Sequence, residues 1–349
     1  MQRRRTARTA ILCIETIGMI YVGIVTYNSI ADLPGCLAGL RAQTCSGMQV
    51  LALDNASPDG SASWLQEYAP EVRLTHGTEN IGYGRAHNRL IQEADLRPGD
   101  YYMALNPDAE LQPEYVSAIV RQLDEKSEFG WGVGKLLMKD EAAQPTGLVY
   151  SMGHGLLRSG FAFNIGYGLP EDDLVTGSRE VFGAPGAAVV YKADLIRDLS
   201  DDGAFFDPAM FLYAEDSDVD WRARRLGWRC WYVEGAAGYH RGSNPGGVLK
   251  MTSISNRYLS VLKNAALFDL LTYNLPLIAG HCLLRLVISP RLGMVLTAGL
   301  LRRGSSGLRR RKRARLSRAQ MTEWFRWSAK QPTLQRSGLS RLGHSPRRA

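Results

Sequence analysis

The apolar positions change period along the chain, and the changes outline its fold. Residues 19–26 (MIYVGIVT) form a short β-branched run closed by the polar Tyr27, Asn28 and Ser29, the pattern of a buried strand. Leu33, Leu37 and Leu40 then recur at helical spacing, and residues 49–53 make a second apolar run ending in Asp54. The alternation continues with a helix near 61–68, a strand near 72–75, a helix near 85–94 and a strand at 101–105. Strands separated by helices of about 10–15 residues predict an α/β fold, an open and mostly parallel twisted sheet flanked by helices. After a helix near 113–124 the rhythm loosens. Strands are predicted at 132–138, 187–191 and 228–233, and helices at 217–226 and 253–268. Residues 19–110 therefore read as a regular α/β half and 111–260 as a mixed half packed on it.

In an open parallel sheet, ligands bind outside the carboxyl ends of the strands. Here those ends are all polar: Thr26-Tyr27-Asn28, then Asp54-Asn55-Ala56-Ser57-Pro58-Asp59-Gly60, then Asn80-Ile81-Gly82-Tyr83-Gly84, then Asn106-Pro107-Asp108. Each alone is an ordinary turn or cap; four on one edge point to a site. No G-x-G-x-x-G follows the first strand, and neither a G-x-x-x-x-G-K-[ST] loop nor a G-x-S-x-G elbow is present. What remains is a hard-oxygen set suited to Mg2+ or Mn2+ bound together with substrate phosphates.

The ordered set VGIVTYNS, LDNASPDGS, ENIGYGRAHN, LNPDAEL and FLYAEDSDVDWRARRLGW resembles a family 2 glycosyltransferase of the GT-A fold, in particular its rhamnosyltransferase-like branch, over roughly residues 19–260. The resemblance implies transfer of a sugar, with rhamnose as its suggestion, from a nucleoside-diphosphate-sugar donor to an acceptor hydroxyl with inversion and with a divalent cation. It implies that Thr26 and Asn28 line the nucleotide pocket, that Asp54 receives the base with Asn55 and Ser57 shaping its loop, and that Asn80, Gly82 and Asn88 border the ribose and diphosphate. Asn106 and Asp108 match the metal motif, often D-x-D and here N-P-D, so a further ligand is needed and His240 is the candidate. Gly186, in the GAPGA run, falls where related enzymes place a loop beside the sugar and acceptor. Asp216 takes the place of the catalytic base, with Glu215 orienting the acceptor or the loop.

Physical chemistry runs in the same direction. Departure of a diphosphate builds negative charge that a cation stabilises, and a base must take the acceptor proton. Crowding of Glu215, Asp216, Asp218 and Asp220 raises at least one carboxyl pKa. The same cluster fits the start of a helix, with Ser217 as cap and Asp218 and Asp220 as partners for Arg222, Arg224 or Arg225. Trp131, Trp221, Trp228 and Trp231 are candidates for stacking on sugar, although Trp228 and Trp231 fall in a predicted strand. A non-catalytic sugar-nucleotide-binding module is the alternative to the enzyme.

Charge divides the chain of 349 residues into unlike parts. Its net +8 hides a segment 301–349 with fifteen Lys or Arg against the single Glu323, which leaves residues 1–300 at −6. Residues 1–18 read as an N-terminal extension, with Met19 a candidate start. The five scattered cysteines form no C-x-x-C pair, which favours a reducing cytoplasm. Residues 261–300 are apolar but interrupted by Asp269, Pro276, Arg285, Pro290 and Arg291, so an amphipathic, membrane-associating segment is expected rather than a spanning one. The basic, partly disordered tail 301–349 reads as an address for an anionic membrane surface, with Trp324, Phe325 and Trp327 inserting at headgroup level. A solvated tail without a partner is the plainer reading, and no nucleic-acid motif accompanies the charge. Together these features predict a peripheral protein on the inner face of the cell membrane, acting on a lipid-linked or cell-envelope glycan acceptor.

Overall fold

The computed structural model describes residues 18–140, 142–174, 176–242, 247–304 and 314–326. The extension before residue 18, most of the basic cluster and Trp327 lie outside them. The chain order is β1 (Ile20–Thr26), α1 (Leu33–Arg41), β2 (Met48–Asp54), α2 (Ser61–Tyr68), β3 (Arg73–His76), α3 (Tyr83–Ala94), β4 (Tyr101–Leu105), β5 (Ala109–Leu111) and α4 (Tyr115–Glu125). Then come β6 (Phe129–Lys139), β7 (Pro145–Ser151), β8 (His154–Leu157), β9 (Ala162–Asn164), β10 (Arg179–Val181), β11 (Ala188–Lys192), α5 (Ala193–Leu199), α6 (Glu215–Arg225) and β12 (Arg229–His240). The chain continues through α7 (Gly247–Asn264), a continuous helix α8 (Leu267–Ile288), α9 (Pro290–Arg303), α10 (Arg318–Thr322) and β13 (Phe325–Arg326).

The main sheet runs β10-β12-β6-β11-β4-β1-β2-β3, with β5 on β12 and β7 on β6. β4, β1, β2 and β3 are parallel neighbours. The second half is mixed because β11 enters antiparallel between β4 and β6. The pleat sorts each strand onto two cores. Tyr101, Met103 and Leu105 of β4 face one side with Leu37 of α1, Leu65 of α2 and Ile119 of α4; Tyr102 and Ala104 face the other with Leu90 of α3, Leu195 of α5 and Val219 of α6.

A third core joins Leu156, Phe182 and Trp221 of the body to Tyr258 and Val261 of α7, Ile278 of α8 and Leu296 and Leu300 of α9. Segment 314–326 docks on it. Trp324 stacks on the Arg224 guanidinium at 4.0 Å and Phe325 meets Trp221 edge-on, while β13 pairs with β8. Trp324 and Phe325, expected at headgroup level, are thus partly buried against α6 and β8 of the body.

Within 261–300 the helical structure breaks at Ala265–Ala266 and at Ser289, and the stretch between the breaks is continuous. α8 is one helix of 22 residues, long and apolar enough to cross a membrane by length and composition. Its polar interruptions are absorbed locally. Pro276 sits in the first turn after a π-turn at Leu270–Asn274, where its missing N–H costs little. Asp269 pairs with Arg158 and Arg318, each at 2.8 Å, and Arg285 donates to His281 at 3.0 Å.

Candidate active site

β1 and β2 end in register, Thr26 opposite Asp54, so two side chains at the carboxyl edge meet. Thr26 Oγ1 donates to Asp54 Oδ1 at 2.8 Å, the Ser57 N–H donates to Asp54 Oδ2 at 2.9 Å, and the Asn28 N–H reaches Ser57 Oγ at 3.3 Å. Asn28 holds a left-handed backbone at φ 56°, turning the chain away from the sheet. Asn55 accepts from the Ile81 N–H, and Asn80 from the Gly82 N–H at 3.0 Å, stitching the second strand end to the third.

Further along the same edge, a cavity of about 390 Å³ opens between β4, β12, α6 and α7. It gathers Asn106, Asp108, Gly186, Glu215, Asp216 and His240. Asn106 follows β4 directly, and Asp108 ends the turn to β5, whose pairing with the end of β12 sets Ala109 opposite His240. Asp108 Oδ1 consequently lies 3.1 Å from His240 Nε2, which the Asn106 amide also reaches at 3.2 Å. Asp108 Oδ2 accepts the Gly242 N–H at 3.0 Å. Burial alone would lift the Asp108 carboxyl, but His240, the Gly242 N–H and Arg241 hold it below the usual aspartate range.

The opposite wall is the first turn of α6. Asp216 Oδ2 accepts the Gly186 N–H at 3.0 Å, and Gly186 O accepts the Tyr83 hydroxyl at 2.6 Å, so α6, the glycine loop and α3 are fixed to one another. A Cβ on Gly186 would stand 2.9 Å from that hydroxyl. Glu215 is 6% exposed, and its Oε2 is buried with no hydrogen-bond partner. Burial first, and the charge of Asp216 second, push its carboxyl up to about 8. Of the paired acids, then, Glu215 is held neutral at pH 7 while Asp216 presents oxygens to the cavity.

Three expectations change. Ser217 does not cap α6: the helix starts at Glu215 after Ala214 at φ 69°, and Ser217 Oγ donates to Ala214 O at 3.1 Å. Asp218 pairs with Arg222 at 2.8 Å as expected, but Asp220 binds His154 at 2.7 Å together with the Trp131 indole and the Ala184 N–H. The tryptophans stay outside the cavity, whose aromatic walls are Tyr83, Tyr150, Phe163 and Tyr213.

Thr26, Asn28, Asp54, Asn55, Ser57, Asn80, Gly82 and Asn88 are not among the cavity's lining residues. The first six line the sheet edge beyond it. Asn88 instead clamps Phe206 through two 2.8 Å bonds to its backbone, and Gly82 makes room for the Phe211 carbonyl, 2.2 Å from where a Cβ would stand. Both support the loop before α6. Ser253 and Arg257 of α7 line the cavity and were not read from sequence; the polar residues along an otherwise apolar helix were their only signal.

Residues 21–143, from β1 through β6, match the family model described as glycosyl transferase family 2. Over those residues the chain is similar to the family 2 glycosyltransferases. It is 28% identical over 236 residues to the N-acetylglucosaminyl-diphospho-decaprenol L-rhamnosyltransferase of Mycobacterium tuberculosis, covering 62% of this chain and 74% of that protein. It is 33% identical over 100 residues to the undecaprenyl-phosphate mannosyltransferase of Micrococcus luteus, covering 28% of this chain and 41% of that one. In fold, the chain resembles GalNAc-T7, crystallised with UDP, GalNAc and Mn2+, at a TM-score of 0.54 and 14% identity over 71% of this chain and 48% of that chain. The architecture is GT-A, a central sheet with flanking helices whose carboxyl edge carries the cavity.

Asp108 and His240 suit a divalent cation as a partial set. Among the described residues no group of three or more His, Cys, Asp or Glu forms a complete cage. One carboxylate and one imidazole converging at a cavity wall leave most of the coordination shell to substrate oxygens.

Proposed function

We propose that the protein transfers a sugar, rhamnose in the first instance, from a nucleoside-diphosphate donor to a hydroxyl of a lipid-linked glycan at the inner membrane face, with inversion. The observation that carries this reading is the position of Asp216, fixed by the Gly186 N–H in one cavity with Asp108 and His240. A carboxylate there takes the acceptor proton as the hydroxyl attacks the anomeric carbon and the diphosphate leaves on the far side. Asp108 and His240 would hold Mg2+ or Mn2+, which supplies charge stabilisation to the diphosphate. The similarity to the rhamnosyltransferase named above supports the choice of sugar and a diphospholipid-linked acceptor. The nucleotide would lie along Thr26, Asn28, Asp54, Asn55, Ser57 and Asn80, with the sugar beside Gly186.

Asp216→Asn tests the assignment. The variant keeps the melting temperature and donor affinity of the parent and loses about 10²–10⁴-fold in turnover. Turnover within threefold of the parent removes Asp216 from the mechanism. Donor binding without turnover in the parent would leave only a sugar-nucleotide-binding module.

A further inference from the structure

The cavity carries three carboxyl groups, Asp108, Glu215 and Asp216, and Arg257 is the one Lys or Arg among its lining residues. Arg257 lies on α7 one turn beyond Ser253, so the two side chains share a face and the same cavity wall. The guanidinium offers five N–H donors. Among the described residues it makes one long hydrogen bond, 3.5 Å to Ala162 O, and lies 5.5 Å from the Phe161 ring centroid, with no ion pair. Neighbouring arginines are differently placed: Arg222 is bound to Asp218, Arg224 to Glu180, and Arg303 to Asn256 and Ser255. A half-buried guanidinium turned into a cavity, within the field of Asp216 but hydrogen-bonded to no carboxylate, keeps its donors for an anion.

The position of α7 identifies that anion. A donor diphosphate has its place at Asp108 and His240, on the sheet side. α7 forms a separate wall and runs, after Ala265 and Ala266, straight into α8, whose Leu267, Phe268 and Leu271 are 63%, 60% and 56% exposed. An anion attached to a lipid would reach α7 before any other part of the cavity.

We propose that Arg257 and Ser253 form a subsite for the diphosphate group of a lipid-linked acceptor, distinct from the donor's diphosphate. The proposal rests on the transferase reading for the identity of the lipid, but its test needs no turnover. Binding of farnesyl diphosphate and of inorganic pyrophosphate to the full-length protein in detergent is followed by intrinsic fluorescence in EDTA. Binding of thymidine diphosphate is followed with Mn2+.

Arg257→Gln weakens farnesyl diphosphate at least tenfold, Arg257→Lys weakens it less, and Ser253→Ala costs a few-fold, with thymidine diphosphate within twofold of the parent throughout. Asp108→Asn gives the converse pattern. Unchanged farnesyl diphosphate affinity in Arg257→Gln, or no binding by the parent, overturns the subsite. A parallel loss of thymidine diphosphate affinity in both Arg257 variants assigns the guanidinium to the donor and overturns it equally. None of these outcomes touches the base assignment, which turnover of Asp216→Asn decides alone.

Discussion

Adjacent carboxyl groups do different work at Glu215 and Asp216 because the helix start turns one inward and the other to the cavity. This arrangement has a stability signature. Glu215 rises from an ordinary 4.5 to about 8, so between those values the folded chain holds a proton that the unfolded chain has released. Stability therefore falls as pH rises from about 4.5 through 8. Asp220, lifted to about 6 by burial, contributes the same sign over a lower window. The difference between the parent and Glu215→Gln isolates Glu215: melting temperatures across pH 4.5–8 should decline less steeply in the variant. Equal slopes would mean that Glu215 ionises normally.

Gly183 makes a second residue-scale case. A Cβ there would fall about 2 Å from the Asp220 carboxylate (1.9 Å to its carbon), which is already held by His154, Trp131 and Ala184. Gly183→Ala should cost about 1–3 kcal/mol in chemical denaturation, and Asp220→Ala about 3–5 kcal/mol because it strands a buried His154. The chemistry-bearing residue types were legible in sequence, since strand ends and the acid pair announce themselves. Their division of labour was not. The family resemblance alone put His240 beside Asp108, and nothing in YAEDSDVD tells that His154 will take Asp220, because those pairs join positions 132 and 66 residues apart. The loop that Asn88 and Gly82 support, similarly, has no sign in the segment that carries them.

That loop is the element on which the site depends. Phe205 to Ala214 carries no regular structure, and it reaches Glu215 through Tyr213 and Ala214, both left-handed at φ 70° and 69°. Neither is glycine, so the conformation persists only because its surroundings impose it. Asn88 of α3 grips Phe206, Lys263 of α7 pairs with Asp207, and Asn256 of α7 donates to the Leu212 and Tyr213 carbonyls at 2.9 and 3.0 Å. Arg303 of α9 holds both Asn256 and the Ala209 carbonyl. Asn256→Ala removes the grip on the strained pair and should reduce kcat more than donor affinity, with a drop in melting temperature. Loss of donor affinity alone would place the loop's importance elsewhere. At this scale the first half of the fold was legible, because strands buried on both faces and amphipathic helices have distinct periods. β7 to β10 were not, being three to seven residues long and too short to show a period. α8 was hidden by Asp269 and Pro276, whose costs are removed by tertiary partners that no local pattern contains.

For the whole molecule, the −6 body and the +14 tail are joined by a helix with a bare apolar face. Leu283, Val287 and Ile288 of α8 are 65%, 73% and 66% exposed, while α9 returns along α7 with Leu296 and Leu300 buried. Burying three such side chains in lipid is worth about 1.5–3 kcal/mol each, and each basic residue near an anionic leaflet adds about 1 kcal/mol. The apolar term is insensitive to salt and the basic term is not. A truncation at residue 300 would confound them, because it also strips Trp324 and Phe325 from the body core and Arg318 from Asp269. The informative comparison is the full chain, a chain ending at 326, and the full chain with Leu283→Glu and Val287→Glu. In flotation with vesicles containing phosphatidylglycerol, the chain ending at 326 should still float and do so with less dependence on salt. The double variant should float at low salt and be released at high salt. Flotation of the double variant that matches the parent at every salt concentration would show that α8 does not enter the bilayer, and an equal salt response of all three would dismiss the tail as an address.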